Sequence, residues 1–188
     1  MTDTAVGTYK EAPGLVGRNL TVAGQLIAGS TAFFFLAFVF AYVYLRSVDK
    51  ASLWRPHGVT APVGHGTIVM ALVVAAAIAV RIARRGGGAR IRGLWSGLVF
   101  GIVALLVQIA EWALIGFGPA DGGYASVFVG WTGFYAAFLV LALVWVEIQL
   151  ATAVRNRDAE PVGLDATSFY LSFLAGIGVV TWIVLFLA

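Results

Sequence analysis

Five uninterrupted apolar stretches dominate this chain of 188 residues, at roughly 24–45, 63–83, 94–117, 125–150 and 167–187. Each matches the roughly 20 residues a helix needs to cross the hydrocarbon core of a bilayer. Charged residues make up only 11% of the sequence, against about a quarter in a soluble domain. So few charges cannot cover a water-exposed surface. The fold class expected is therefore an all-α integral membrane protein, a bundle of five transmembrane helices. The connections are short, so neighbouring helices are expected to be antiparallel and adjacent. Residues 1–23 read as a polar tail, and 24–188 as one five-helix domain with no second domain or internal repeat. The tail lacks the basic, apolar and small-residue succession of a cleaved signal.

Basic residues set the expected orientation. Lys10, Arg18, Arg81, Arg84, Arg85, Arg90, Arg92, Arg155 and Arg157 fall on one side, and only Arg46, Lys50 and Arg55 on the other. The positive-inside rule then puts the N-terminus in the cytoplasm and the C-terminus outside. Arg46 closes the Phe-rich first span, from where it can snorkel to the outer interface. Trp54 and Pro56 make the following loop aromatic and stiff. The Arg81–Arg92 run is suited to anionic lipid headgroups. In the third span Gly97 and Gly101, four apart, allow close approach of another helix. Ala175, Gly176 and Gly178 suggest the same in the fifth. Glu147 lies about one turn from the cytoplasmic interface, within reach of water or a loop Arg.

The residue inventory excludes much chemistry. No Cys is present and only two His, His57 and His65, so a bis-His haem or a copper or zinc site with three or four ligands is not expected. Gly29-Ser30 and Gly64-His65 have nothing that ties them into a Ser–His pair. No span looks broken and no repeat is visible, against a secondary transporter. The net charge of +3 is distributed by membrane side, and no nucleic-acid partner is expected.

What stands out is Gln108 and Glu111 inside the third apolar helix. Three apart, they share a helix face that Ala104 and Ile115 extend. A carboxyl group within a span normally faces protein, headgroup or water. Two readings stay open here. The pair is either a buried polar anchor that binds a partner helix or lipid headgroup, or titrates, or else a neutral Glu hydrogen-bonded within the bundle.

These residues resemble subunit III of the haem-copper terminal oxidases, the cytochrome c oxidase subunit III family, in a divergent five-span form. Gln108-Ile109-Ala110-Glu111-Trp112 is similar to the family's Gln-x-x-Glu-aromatic block. Asp121-Gly122-Gly123-Tyr124-Ala125-Ser126-Val127-Phe128 resembles its Asp-Gly-x-Tyr-x-Ser-x-Phe, and Thr132-Gly133-Phe134 follows at the expected interval. Trp54-Arg55-Pro56 stands where the family has Trp-Pro-Pro. The departures are specific. Tyr135-Ala136-Ala137-Phe138 replaces a His-Gly-x-His, the last helix lacks the Trp-His-Phe-x-Asp sequence, and Thr31 stands at a membrane Glu. The helix scaffold remains, while most polar groups tied to lipid binding or proton supply are lost.

The resemblance implies an accessory subunit that holds no haem or copper itself. Such a subunit packs on the catalytic subunit I, which with other oxidase subunits carries those cofactors, and it binds phospholipid. Multi-pass insertion in a bacterial plasma membrane is expected. Gln108, Glu111 and Trp112 would form the polar anchor. Tyr124, Thr132, Gly133 and Phe134 would shape the adjoining helix, and Arg46 and Trp54 would meet the interface. Two alternatives are a subunit III-like component of a nitric oxide reductase and an independent small transporter.

Overall fold

The computed structural model describes residues 13–49, 54–156 and 161–187. Five helices follow one another: α1 Pro13–Ser47, α2 Val63–Ala83, α3 Gly87–Leu114, α4 Gly123–Arg155 and α5 Leu164–Trp182. A π-helical turn, Ile183–Leu187, completes the last element. All five are long and apolar enough to cross a membrane. The coarse architecture expected from the sequence, an all-helical chain with five long apolar helices, is the one observed.

The boundaries differ in instructive ways. α1 begins at Pro13, so residues 13–23, expected within the tail, are helical; residues 1–12, with Lys10, lie outside the described residues. Proline's fixed φ suits a helix start, where a backbone N–H would have no partner. The 35 residues of α1 extend about 50 Å at 1.5 Å per residue, well beyond the hydrocarbon core of about 30 Å. α3 starts seven residues before its apolar stretch because Gly86, at φ 79°, turns the chain directly from α2. It stops at Leu114, short of the expected 117, with Gly116 at φ 69° just beyond. A left-handed glycine there is a common helix terminator. Lys50 and Arg157 also lie outside the described residues.

Contacts along the helices give their directions. Gly24 of α1 lies beside Ala166 at the start of α5, and Thr31 bonds Tyr170, so α1 and α5 run parallel. Phe34 meets Phe138 and Phe38 meets Phe134, so α1 and α4 run antiparallel. Thr67 near the start of α2 pairs with Trp182 at the end of α5. One end of the bundle therefore gathers Arg18, Arg81, Arg84, Arg85, Arg90, Arg92 and Arg155, and the other Arg46 and Arg55. Arg90 departs from the reading of its run as a headgroup-facing cluster, because it is buried.

Adjacency does not follow chain order throughout. α2 packs on α3, and α3 on α4, but α1 packs on α4 and α5 rather than on α2. Helices in lipid gain little from apolar burial against each other, so close backbone approach and interhelical bonds decide these pairings. On α3, a Cβ at Gly93 would lie 2.6 Å from the Ala79 carbonyl oxygen of α2, and one at Gly97 would press on Val80. Gly101 instead admits Leu143 of α4. The expected glycine ridge is thus shared between two neighbours. In α5, Gly178 admits the Tyr135 ring while Gly176 faces open space.

Candidate functional site

The loop between α3 and α4 shows why its residues have their types. Asp121 accepts a hydrogen bond from the Gly118 N–H at 2.6 Å, and its own N–H donates to the Gly118 carbonyl at 3.1 Å. This closes the turn. Gly122 sits at φ 132°, a conformation closed to most side chains. Gly123 lies against the Trp54 ring, where a Cβ would stand 3.0 Å from Trp54 Cε3. Ser126 donates to the Pro119 carbonyl.

Tyr124 then carries three attachments. Its N–H donates to the Trp54 carbonyl at 2.8 Å, and its hydroxyl to the Leu185 carbonyl at 2.6 Å. Its ring lies under the Arg55 guanidinium, 4.5 Å from the centroid, a favourable cation–π geometry. Trp54 stands edge-on to both Tyr42 and Tyr124. The loop after α1, the start of α4 and the π-helical turn after α5 are thereby joined through Tyr124, and Trp54 carries the link on to Tyr42 of α1.

Deeper in the bundle lies the polar pair. Glu111 is 0% exposed and Gln108 4%. Gln108 Nε2 donates to Glu111 Oε2 at 2.5 Å, and Glu111 Oε1 is buried without a partner. The shared face is therefore real, with Ala104 also buried. Trp112, one residue on, donates through Nε1 to Thr132 Oγ1 of α4 at 3.0 Å. Thr132 in turn donates to the Phe128 carbonyl.

The structure separates the remaining candidates. Gly133 has nothing near its would-be Cβ. Phe134 is half exposed while touching Phe34 edge-on and Phe38 at a tilt. Both lie on the outward side of α4. Arg46 donates to the Tyr42 hydroxyl at 3.4 Å. Glu147 is exposed. Thr31 is buried; its hydroxyl donates to the Ile27 carbonyl at 2.8 Å and lies 3.3 Å from the Tyr170 hydroxyl.

Sequence reasoning missed Trp131, whose Nε1 donates to Thr181 of α5 at 2.8 Å, and Tyr135, whose hydroxyl donates to the Leu174 carbonyl at 3.1 Å. The signal was present: polar-tipped aromatics mid-span need a partner. Among the described residues no group of three or more His, Cys, Asp or Glu is placed to hold a metal ion.

The fold and this knot of interhelical bonds define a multi-pass α-helical membrane protein whose motif residues bind helices to one another. No family model matches the chain. Distant relatives do. The chain is 24% identical to cytochrome c oxidase subunit 3 of Mycosarcoma maydis over 93% of its own length and 66% of that protein's. It is 25% identical to the subunits of the same name from Latimeria chalumnae and Formosania lacustris, over 92% of its length and 69% of theirs. It thus spans about two thirds of the length of these relatives. Distant as it is, a likeness over most of the chain supports the cytochrome c oxidase subunit III family.

Proposed function

We propose that the chain is a non-catalytic accessory subunit of a respiratory haem-copper terminal oxidase, similar to subunit III, packed on the catalytic subunit I. Its haem and copper belong to the partner subunits, and its own role is to support oxygen reduction and proton uptake and to hold phospholipid. The likeness to three proteins named cytochrome c oxidase subunit 3, over 92–93% of the chain, carries this reading. The geometry agrees with it. The two sequence blocks that resemble the family build one continuous knot, from Gln108–Glu111 through Trp112–Thr132 to Tyr124–Leu185.

The outward residues supply the surfaces this role needs. Phe33 is 77% exposed, and with Leu36 and Phe40 forms an apolar ridge on α1 for lipid or partner helices. Gly133 and Phe134 offer a second such stripe. Arg46 and the arginines of the basic end meet headgroups. The arginine distribution supports a cytoplasmic N-terminus in a bacterial plasma membrane. Because the chain has no Cys, single cysteines at Ser47 and Gly88 test this directly. A membrane-impermeant maleimide on intact cells labels the first and spares the second if the orientation is right.

The decisive experiment is a mild-detergent pull-down of the tagged chain from its native membrane, with a visible spectrum and mass spectrometry of the eluate. Haem together with a large catalytic subunit is the expected result, and a colourless eluate without one overturns it. The substitution of Thr31 and Tyr135 at polar positions of the family favours, as a second reading, a subunit III-like component of a nitric oxide reductase. The haem type and companion subunits separate the two. Ion flux by the isolated chain in liposomes, abolished by Glu111→Gln, would instead make it a transporter.

A further inference from the structure

Next to the buried pair, four helices leave a small, partly open cavity of about 20 Å³. Its wall includes Val69 and Met70 of α2, Gln108 of α3, Thr132 and Tyr135 of α4 and Thr181 of α5. A single water needs roughly 10–15 Å³ of such volume and two to four polar partners. The space admits one heavy atom, and the hydrogen-bond inventory decides which kind.

Each hydroxyl on the wall has already spent its proton. Thr132 donates to the Phe128 carbonyl and accepts from Trp112. Thr181 donates to the Ile177 carbonyl and accepts from Trp131. Tyr135 donates to the Leu174 carbonyl. Every one of these oxygens retains a lone pair and no hydrogen, since a hydroxyl has one donor and two acceptor sites. Gln108 has used one amide hydrogen on Glu111 and is 4% exposed. Its second amide hydrogen makes no bond to the described residues, and a buried donor left without an acceptor is destabilising. The wall therefore presents several acceptors and one donor. An anion finds the wrong lone pairs facing it, and an apolar atom leaves them all unpaired.

We propose that this cavity is a binding site for one structural water molecule, which accepts from the Gln108 amide and donates to two of the Thr132, Tyr135 and Thr181 oxygens. The water ties α3 to α4, and to α5 where Thr181 is one of its acceptors, while α2 closes part of the wall. It also gives Gln108 the second attachment that holds its amide against Glu111. This assignment is independent of the oxidase reading, for it concerns only the interior of the chain.

Two measurements test it. A map of the purified protein with its co-purifying subunits, at a resolution that shows ordered waters, is expected to hold one peak in the cavity within hydrogen-bond distance of Gln108 and a wall hydroxyl. An empty cavity overturns the proposal. The second measurement is the sign of a cavity-filling effect. Val69→Leu in the full chain displaces the water and orphans the Gln108 N–H, so the melting temperature should fall by about 2–4 °C, the equivalent of about 1 kcal/mol for a chain this size. A dry cavity would gain from the added methylene, and a rise or no change refutes the water. Simple overpacking would also lower the temperature, so the substitution is repeated in a Gln108→Met background. There the penalty should shrink by at least half, because no amide remains to be orphaned. An equal penalty in both backgrounds means overpacking and sinks the proposal.

Discussion

The α2–α3 seam and the α3–α4–α5 knot hold the same bundle by opposite means. Along the seam, Gly93 and Gly97 let α3 settle onto the Ala76, Ala79, Val80 and Ala83 surface of α2, and backbone meets backbone. In the knot, bulky Trp112, Trp131, Tyr124 and Tyr135 keep the helices apart and join them by single hydrogen bonds to named acceptors. A seam of small residues specifies closeness, but slides easily, because one alanine resembles the next. A knot specifies depth and rotation, because each donor has one partner. The Gln108–Trp112 block, Tyr124 and Thr132, all within family-like motifs, lie in the knot. That is the region in which a changed residue loses a particular partner rather than a little contact area.

The largest effect should come from breaking the seam. Gly93→Val drives a side chain into the Ala79 carbonyl and the Ala83 backbone, neither of which can yield. Overpacking of this kind costs about 3 kcal/mol, so the variant should lose most of its folded fraction in a detergent denaturation series. In the knot, Glu111→Leu removes the acceptor of the Gln108 amide and should cost about 1–3 kcal/mol. Glu111→Gln keeps a carbonyl there and should cost less than half as much in the same assay. Equal losses would show that Glu111 acts through packing alone. Trp112→Phe deletes one interhelical bond to Thr132 and should cost about 0.6–1.7 kcal/mol. A matching loss in Thr132→Val, with no further loss in the double variant, would locate the effect in that bond. The smallest change should follow Arg84→Ala. The Arg84–Asp165 pair spans 2.6 Å, but its side chains are 47% and 67% exposed, and such surface pairs contribute about 0–1 kcal/mol. Its loss should vanish in high salt.

Much of this was legible in the sequence, and the limits have physical causes. The five spans follow from composition, since lipid admits only long apolar helices in a chain like this. The Gln108–Glu111 face follows from spacing. The early start of α1 does not, because residues 13–23 are too polar to register as a span although they propagate an existing helix. Gly97 and Gly101 read as one ridge, yet residues four apart on a helix of 3.6 per turn drift by about 40°. That drift turns Gly101 away from α2 toward Leu143 of α4. Gly93, which lies beside the basic run and so did not read as part of the ridge, is where α3 meets α2 backbone atoms most closely. The partners of Trp131, Tyr135 and Trp182 were out of reach, since each bond joins residues 39 to 115 positions apart.

The packing of α1 on α4 and α5, and not on α2, has a consequence for biogenesis. A ribosome makes α1 before α4 and α5, the helices that hold it. The hairpin of α2 and α3 can close as soon as it emerges. α1 must meanwhile wait in lipid, its Phe34, Phe35 and Phe38 covered by acyl chains. The Thr31–Tyr170 contact, across 139 residues, forms only once α5 has been made. α1, made ahead of α2 and α3, thus docks after those two can already have paired.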